Sequence, residues 1–178
     1  MESRKDSFVL ERIHISNLED LQIMSRETFY DAFFWGTSPE NMKTYLETSL
    51  SEEKLSTELN QSQSQFYFAV LNNFRVGYLK LNFGQAQTEL RESSGMEIER
   101  IYVLKEHQGK KIGQELINKA IDIAVQNKME YVWLGVWEKN TKAISFYQRN
   151  GFVEISAHPF MMGTEEQVDL IMKRSLIV

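Results

Sequence analysis

The residues best placed to do chemistry form one run. Ile98-Glu99-Arg100-Ile101-Tyr102-Val103 reads as a strand, Leu104 to His107 as a short turn, and Gln108-Gly109-Lys110-Lys111-Ile112-Gly113 as the start of a long helix. A helix start leaves its first amide N–H groups without partners, and glycines at 109 and 113 let a ligand come close to them. Together with the positive end of the helix dipole and the charges of Lys110 and Lys111, this arrangement suits a phosphate or pyrophosphate. The same residues also suit a flexible turn that only begins a helix, and the spacing leaves both readings open. Neither GxxxxGK[ST] nor GxGxxG is present. Glu97 and Glu99 are two residues apart on the strand and share a face if the strand is regular. A carboxylate there could take a proton through water or hold a cation, and burial would raise its pKa toward the first role. Alternating charge on a solvated strand is the plainer alternative.

These residues must be held by the elements around them. Phe8–Ile15 alternates as a strand, and Asn17 is placed to cap a helix whose apolar face carries Leu18, Leu21, Met24, Thr28 and Phe29. That helix runs into the aromatic cluster Phe29 to Trp35 and stops at Gly36. Ser38-Pro39-Glu40-Asn41 predicts a helix start, with cap, Pro at the first position and acid in the first turn, and Ser51-Glu52-Glu53-Lys54 predicts another. Gln65–Leu71 and Phe74–Asn82 read as strands joined by an Asn72-Asn73 hairpin, and Met96–Leu104 as a further strand. Lys111–Gln126 has an apolar stripe of Ile112, Leu116, Ala120, Ile123 and Ala124. Tyr131–Trp137 is a buried-type strand, Asn140–Arg149 a short helix closed by Asn150-Gly151, and Phe152–Ala157 with Val168–Ser175 a final pair of strands. The order implies a mixed α/β sheet, neither doubly wound nor a barrel.

The chain has 178 residues, 42% hydrophobic and 25% charged, which fits one globular domain over 1–178. A net charge of -5 argues against a broad nucleic-acid-binding face and is congenial to a small cationic substrate. The absence of cysteine removes disulfides, thiolate metal sites and a cysteine nucleophile, and His14, His107 and His158 lie too far apart to suggest a metal centre. Residues 1–15 show no long apolar leader segment and no run approaches the ~20 apolar residues of a membrane span, so a soluble, cytoplasmic protein is expected.

The segment from Gln108 to Gly113 resembles the acyl-CoA signature [Q/R]-x-x-G-x-[G/A] of the GCN5-related N-acetyltransferase (GNAT) superfamily. Gln108 and Gly113 match its ends, and Lys111 stands where the pattern has its middle glycine. Downstream, Asn140-x-x-Ala143-x-x-Phe146-Tyr147-x-x-x-Gly151-Phe152 resembles a second block of the family, and the element order covers essentially the whole chain. Ser38 to Lys43, Ile98 to Tyr102, Trp133 to Asn140 and Asp169 to Met172 are similar to the bacterial PaiA-type polyamine acetyltransferases.

The resemblance implies an α/β GNAT fold: a mixed, mostly antiparallel sheet splayed in the middle, with helices on both faces. It implies acetyl-CoA as co-substrate, no metal, and transfer of the acetyl group to an amine by direct attack in a ternary complex. The expected acceptor is spermidine or spermine, with another amine as the rival substrate and an inactive acyl-CoA-binding sensor as the rival function. Homodimerisation is compatible with the family. Residue by residue, the backbone of Ile101, Tyr102 and Val103 would pair with the pantetheine arm, and 108–113 (Gln108, Gly109, Lys110, Lys111, Ile112, Gly113) would hold the pyrophosphate. Tyr147 matches the general acid, a phenol being protonated at neutral pH and able to protonate a departing thiolate. Asn140 would bond the pantetheine amide or simply cap its helix, and Arg149 would reach a phosphate or only compensate the helix dipole. Glu99 is the preferred base, immediately before the acyl-binding backbone, with Glu97 and Glu138 as further acidic contacts. Tyr30, Phe34 and Trp35 would wall the acceptor side or pack as core, and Glu165, Glu166 and Asp169 would form a cation-attracting rim or, as preferred here, a solvated hairpin loop.

Overall fold

Apolar periodicity and caps set most of the elements in the computed structural model, which describes residues 7–176. The first six and last two residues of the 1–178 span lie outside the described residues. The elements are β1 (Phe8–Arg12), α1 (Leu18–Phe33), α2 (Pro39–Thr48), α3 (Glu52–Leu59), β2 (Ser64–Leu71), β3 (Phe74–Phe83), β4 (Gly95–Val103), α4 (Ile112–Gln126), β5 (Tyr131–Trp137), α5 (Thr141–Arg149), β6 (Val153–Met162) and β7 (Glu165–Ser175). Ser38 and Ser51 cap α2 and α3 by accepting from the amides of Asn41 and Lys54. Asn72 and Asn73 both take positive φ, 51° and 70°, which matches a two-residue turn to the twist of β2 and β3.

Two local expectations change. Asn17 does not cap α1 through its side chain; its Oδ1 accepts from His14 N and closes a 3-10 turn over Ile15–Asn17. The last hairpin is longer than its apolar pattern suggested, because Pro159 lies inside β6. As an edge strand, β6 tolerates a missing N–H. The turn is Gly163-Thr164, so Glu165 and Glu166 pair with Met162 and Met161 in the ladder instead of forming a solvated loop.

The sheet runs β1-β2-β3-β4-β5-β7-β6. Every neighbouring pair is antiparallel except β4–β5, which is parallel and bonded only from Gly95–Glu97 to Tyr131–Trp133. Beyond Glu97 the two strands part, which produces the expected splay. Helix α4 lays Ile112, Leu116, Ala120 and Ala124 on one face, against Leu79, Leu81, Val132 and Leu134. Helices α1, α2 and α3 cover the other face through Leu21, Met42 and Leu55, which pack with Phe66, Phe68 and Tyr78.

Strand β4 is not regular. Lys80 faces Arg100 and Leu81 faces Ile98, which leaves Glu99 as an extra residue in a β-bulge. The bulge switches the inward parity: Met96 and Ile98 face α4 before it, and Ile101 and Val103 after it. Glu97 and Glu99 share the opposite face by alternation, as expected, and the bulge adds Arg100 to that face beside Glu99.

Candidate active site

The turn before α4 carries its donors as the sequence suggested. Lys111 sits at the N-cap in the left-handed region (φ 63°), and Gly109 has φ 78°. The pattern's middle glycine thus falls on a backbone position that glycine adopts without strain and Lys111 adopts at a cost. Among the described residues no backbone carbonyl accepts from the amides of Lys111, Ile112, Gly113 or Gln114. Among the described residues, its two chain neighbours aside, no atom stands within 4 Å of where a Cβ at Gly109 would be, so the turn is open above its glycine. Lys110 and Lys111 are exposed, whereas the Ile112 side chain is core and only its amide faces the turn. Gln108 is committed elsewhere: its Nε2 donates to Val103 O at 3.1 Å and ties the turn to the end of β4.

The edge of β4 beside the splay, residues 98–103, has lost its β5 neighbour and so presents free backbone groups. Ile101, Tyr102 and Val103 remain hydrogen-bonded to β3 on their other side. Behind this edge lies a buried ion network that the sequence reading missed. Lys80 Nζ reaches Glu99 at 2.5 Å and Glu58 at 3.1 Å, and Arg100 reaches Glu58 at 2.8 Å and Glu99 at 3.2 Å. A lone lysine in the apolar run Tyr78-Leu79-Lys80-Leu81 was the available signal, since such a charge needs partners.

This network reverses the preference between the two carboxylates. Burial pushes Glu99 up, but Arg100 and Lys80 outweigh it and hold the group at about 2. Glu99, preferred from sequence as the base, is therefore the weaker of the two and serves as a structural anion. Glu97 is 2% exposed, and burial followed by the charge of Glu99 raises its pKa. Hydrogen bonds from Thr88 Oγ1 (2.5 Å), Thr88 N (2.8 Å) and Asn82 Nδ2 (3.0 Å) offset part of that rise. Asn82 Nδ2 also donates to Glu99 at 2.6 Å, so one amide bridges both carboxylates. Glu97 is the last β4 residue paired with β5, at the apex of the splay.

Tyr147 projects from α5 into the α4-side core, its ring against Phe146 and Phe152. Burial raises its pKa, which keeps the phenol protonated, and no hydrogen bond ties its hydroxyl to another described residue. Asn140 Oδ1 caps α5 by accepting from Ala143 N at 3.2 Å, leaving its amide nitrogen unbonded among the described residues. Arg149 is exposed in the last turn of α5 and makes no ion pair among the described residues.

The aromatic wall divides. Trp35 leans on Trp137, ring centroids 4.9 Å apart, and Gly36 is required because the Trp137 ring fills the place of a Cβ there. Tyr30 instead stacks on Phe34, and both line a separate groove of about 480 Å³ between α1 and α2 with Thr37 and Met42. Tyr30 is thus not brought to the Trp137 side. Glu138 is exposed in the turn after β5, outside the carboxylate cluster.

The GNAT acetyltransferase family model matches residues 24–152. An uncharacterised N-acetyltransferase from Lactobacillus delbrueckii subsp. lactis is 38% identical over 90% of this chain and 93% of its own length. The spermidine N(1)-acetyltransferase of Thermoplasma acidophilum is 28% identical over 82% of this chain and 88% of its own. The crystal structure of the PaiA N-acetyltransferase from Thermoplasma acidophilum, in complex with coenzyme A, superposes with a TM-score of 0.77 at 25% identity, covering 95% of this chain and 99% of that one. The splayed sheet, the open amides before α4 and these likenesses agree: the chain belongs to the GNAT family and is an acetyl-CoA-dependent N-acetyltransferase.

Proposed function

We propose that this enzyme acetylates a primary amine of a small polyamine, spermidine or spermine, by direct attack within a ternary complex. The observation that carries the acceptor class is the likeness, over most of both chains, to a protein named for spermidine acetylation. Acidic side chains on the face of the splay opposite α4 agree with a cationic substrate. The reading takes 1–178 as one catalytic domain that works in the cytoplasm without metal or nucleic acid.

The residues fit coenzyme A. The unpaired amides at 111–114 and the open space over Gly109 suit a pyrophosphate, with Lys110, Lys111 and Arg149 adding positive charge. The free β4 edge at Ile101, Tyr102 and Val103 offers a ladder to the pantetheine arm, and Asn140 Nδ2 is available to its amides. Acetyl-CoA supplies an acetyl group activated as a thioester. Tyr147 Oη holds the proton that the departing sulfur takes, and Glu97, acting through water, accepts the proton lost by the acceptor nitrogen. With no cysteine in the chain, an acyl-cysteine route is closed.

Thiol release from acetyl-CoA, measured across spermidine, spermine, lysine, an aminoglycoside and a short peptide, tests the reading. The cysteine-free protein adds no background. Selective turnover of the polyamines is expected; turnover of another amine in their place refutes the acceptor assignment.

A further inference from the structure

Six of the seven residues of β5 are buried, and the exception is Gly135, exposed in the middle of the strand between buried neighbours. Exposure at that position means a depression in the sheet, open where a side chain would otherwise stand. By alternation Gly135 shares its face with Trp133 and Trp137, away from Val132, Leu134 and Val136, which pack toward α4. It lies two residues beyond Trp133, where β4 and β5 part, so it borders the splay roughly 7 Å past the apex.

One carboxylate overhangs this gap. A Cβ at Gly135 would lie 3.7 Å from Asp169 Oδ2 and 4.0 Å from Ile171 Cδ1. Asp169 is set there by its register in β7, opposite Trp137 on one side and His158 on the other. It is half-buried and, among the described residues, no hydrogen bond or ion pair engages it. The His158 ring is turned to Glu89, 3.5 Å away. Glu58 and Glu99, by contrast, are neutralised by Lys80 and Arg100. Burial raises the pKa of Asp169, and the neighbouring His158 offsets part of that rise without hydrogen-bonding to the carboxylate or pairing with it. The partly desolvated group therefore remains a receptor for a cation. Trp137, opposite Asp169, is buried beneath Trp35 and Gly36 and closes this side of the gap with an apolar wall.

We propose that Asp169, over the gap left by Gly135, anchors a cationic nitrogen of the acceptor and so selects amines that carry a second positive charge. The inference rests on the polyamine reading, in which one nitrogen reacts and another stays charged.

Two variants test it. Asp169→Asn keeps the shape and removes the charge. Gly135→Ala fills the depression, and its Cβ would make only ordinary contacts, so the sheet accepts it. Steady-state kinetics with spermidine should show KM for the amine raised about 10-fold to 100-fold in Asp169→Asn. KM for acetyl-CoA should be unchanged and kcat should stay within about twofold, because the charge is lost from binding and not from the proton transfers. A monoamine of matched length should show no such rise, and calorimetric binding of spermidine should weaken in step. Gly135→Ala should raise the spermidine KM with the same acetyl-CoA KM. An unchanged spermidine KM in Asp169→Asn overturns the anchor. If the wild-type enzyme turns over a different amine, the polyamine reading fails separately, and the same KM comparison with that amine still decides whether Asp169 holds it.

Discussion

Replacing Glu58 by Gln keeps the size of the side chain and removes one of four charges from the network behind β4. Lys80 and Arg100, with side chains 4% and 9% exposed, would then share only Glu99, leaving a net positive charge in the interior. Breaking a buried pair by removing one partner costs roughly 3–5 kcal/mol, because the group left behind stays desolvated. For a protein of this length that corresponds to a fall in Tm of roughly 6–20 °C. In urea it corresponds to a midpoint shift of roughly 2 M at a slope of about 2 kcal/mol/M. Equilibrium urea unfolding is the assay, with the slope required to match wild type. Lys80→Met should be similarly destabilising, since it leaves two acids facing Arg100. The double variant restores neutrality around the Arg100–Glu99 pair and should lose at least ~1 kcal/mol less than the two single losses summed. A Glu58→Gln loss below ~1 kcal/mol, the value of exposed pairs, would refute the reasoning by showing that water already screens the network.

Tyr147→Phe should lower kcat about 10²-fold or more while KM for acetyl-CoA holds; unchanged turnover removes Tyr147 as the acid. If Glu97 is the base, the acid limb of kcat, below which the carboxylate is protonated, should move to higher pH in Thr88→Ala. That variant removes a hydrogen bond that lowers the Glu97 pKa. In Glu99→Gln the limb should move to lower pH, because a negative neighbour is lost; loss of the limb, or a shift upward, would return the role to Glu99. Lys111→Gly relieves a left-handed side chain and should raise Tm by about 2–4 °C, following ~1 kcal/mol of released strain, while KM for acetyl-CoA becomes less salt-dependent. A lower Tm would show that the φ of 63° costs nothing in this turn.

Much of this site was legible because its determinants are local. The serines before α2 and α3, the Asn72-Asn73 turn and the stripe of α4 each encode their structure within a few residues, and the folded chain follows them. The open amides before α4 were legible for the same reason: a helix start creates them wherever it occurs. What escaped reading depends on partners distant in sequence. Met96–Val103 reads as a regular strand, and only pairing with Lys80 and Leu81 reveals the extra residue at Glu99. The weakness of Glu99 as a base comes from Lys80, nineteen positions earlier, and from its neighbour Arg100 once Glu58 holds that guanidinium in place. Asp169 looked like part of a solvated loop because Pro159 hid the length of β6. Tyr30 and Trp35 are close in sequence, yet the turn at Gly36 sends them to different neighbours.

The short pairing of β4 with β5 divides the ladder into two blocks, β1–β4 and β5–β7, joined by three residue pairs. Each block can open without breaking the other's hydrogen bonds, so the seam is the natural place for sub-global opening. On the proposed docking of the pantetheine arm along Ile101, Tyr102 and Val103, that arm would act as an eighth, removable strand. Closure of the ladder then becomes a function of metabolite concentration: at 100 times its Kd such a ligand adds ~2.7 kcal/mol of stability. Amide exchange would register this as a rise in protection along the β4 edge, so the protein's resistance to unfolding would track the acyl supply on which it works.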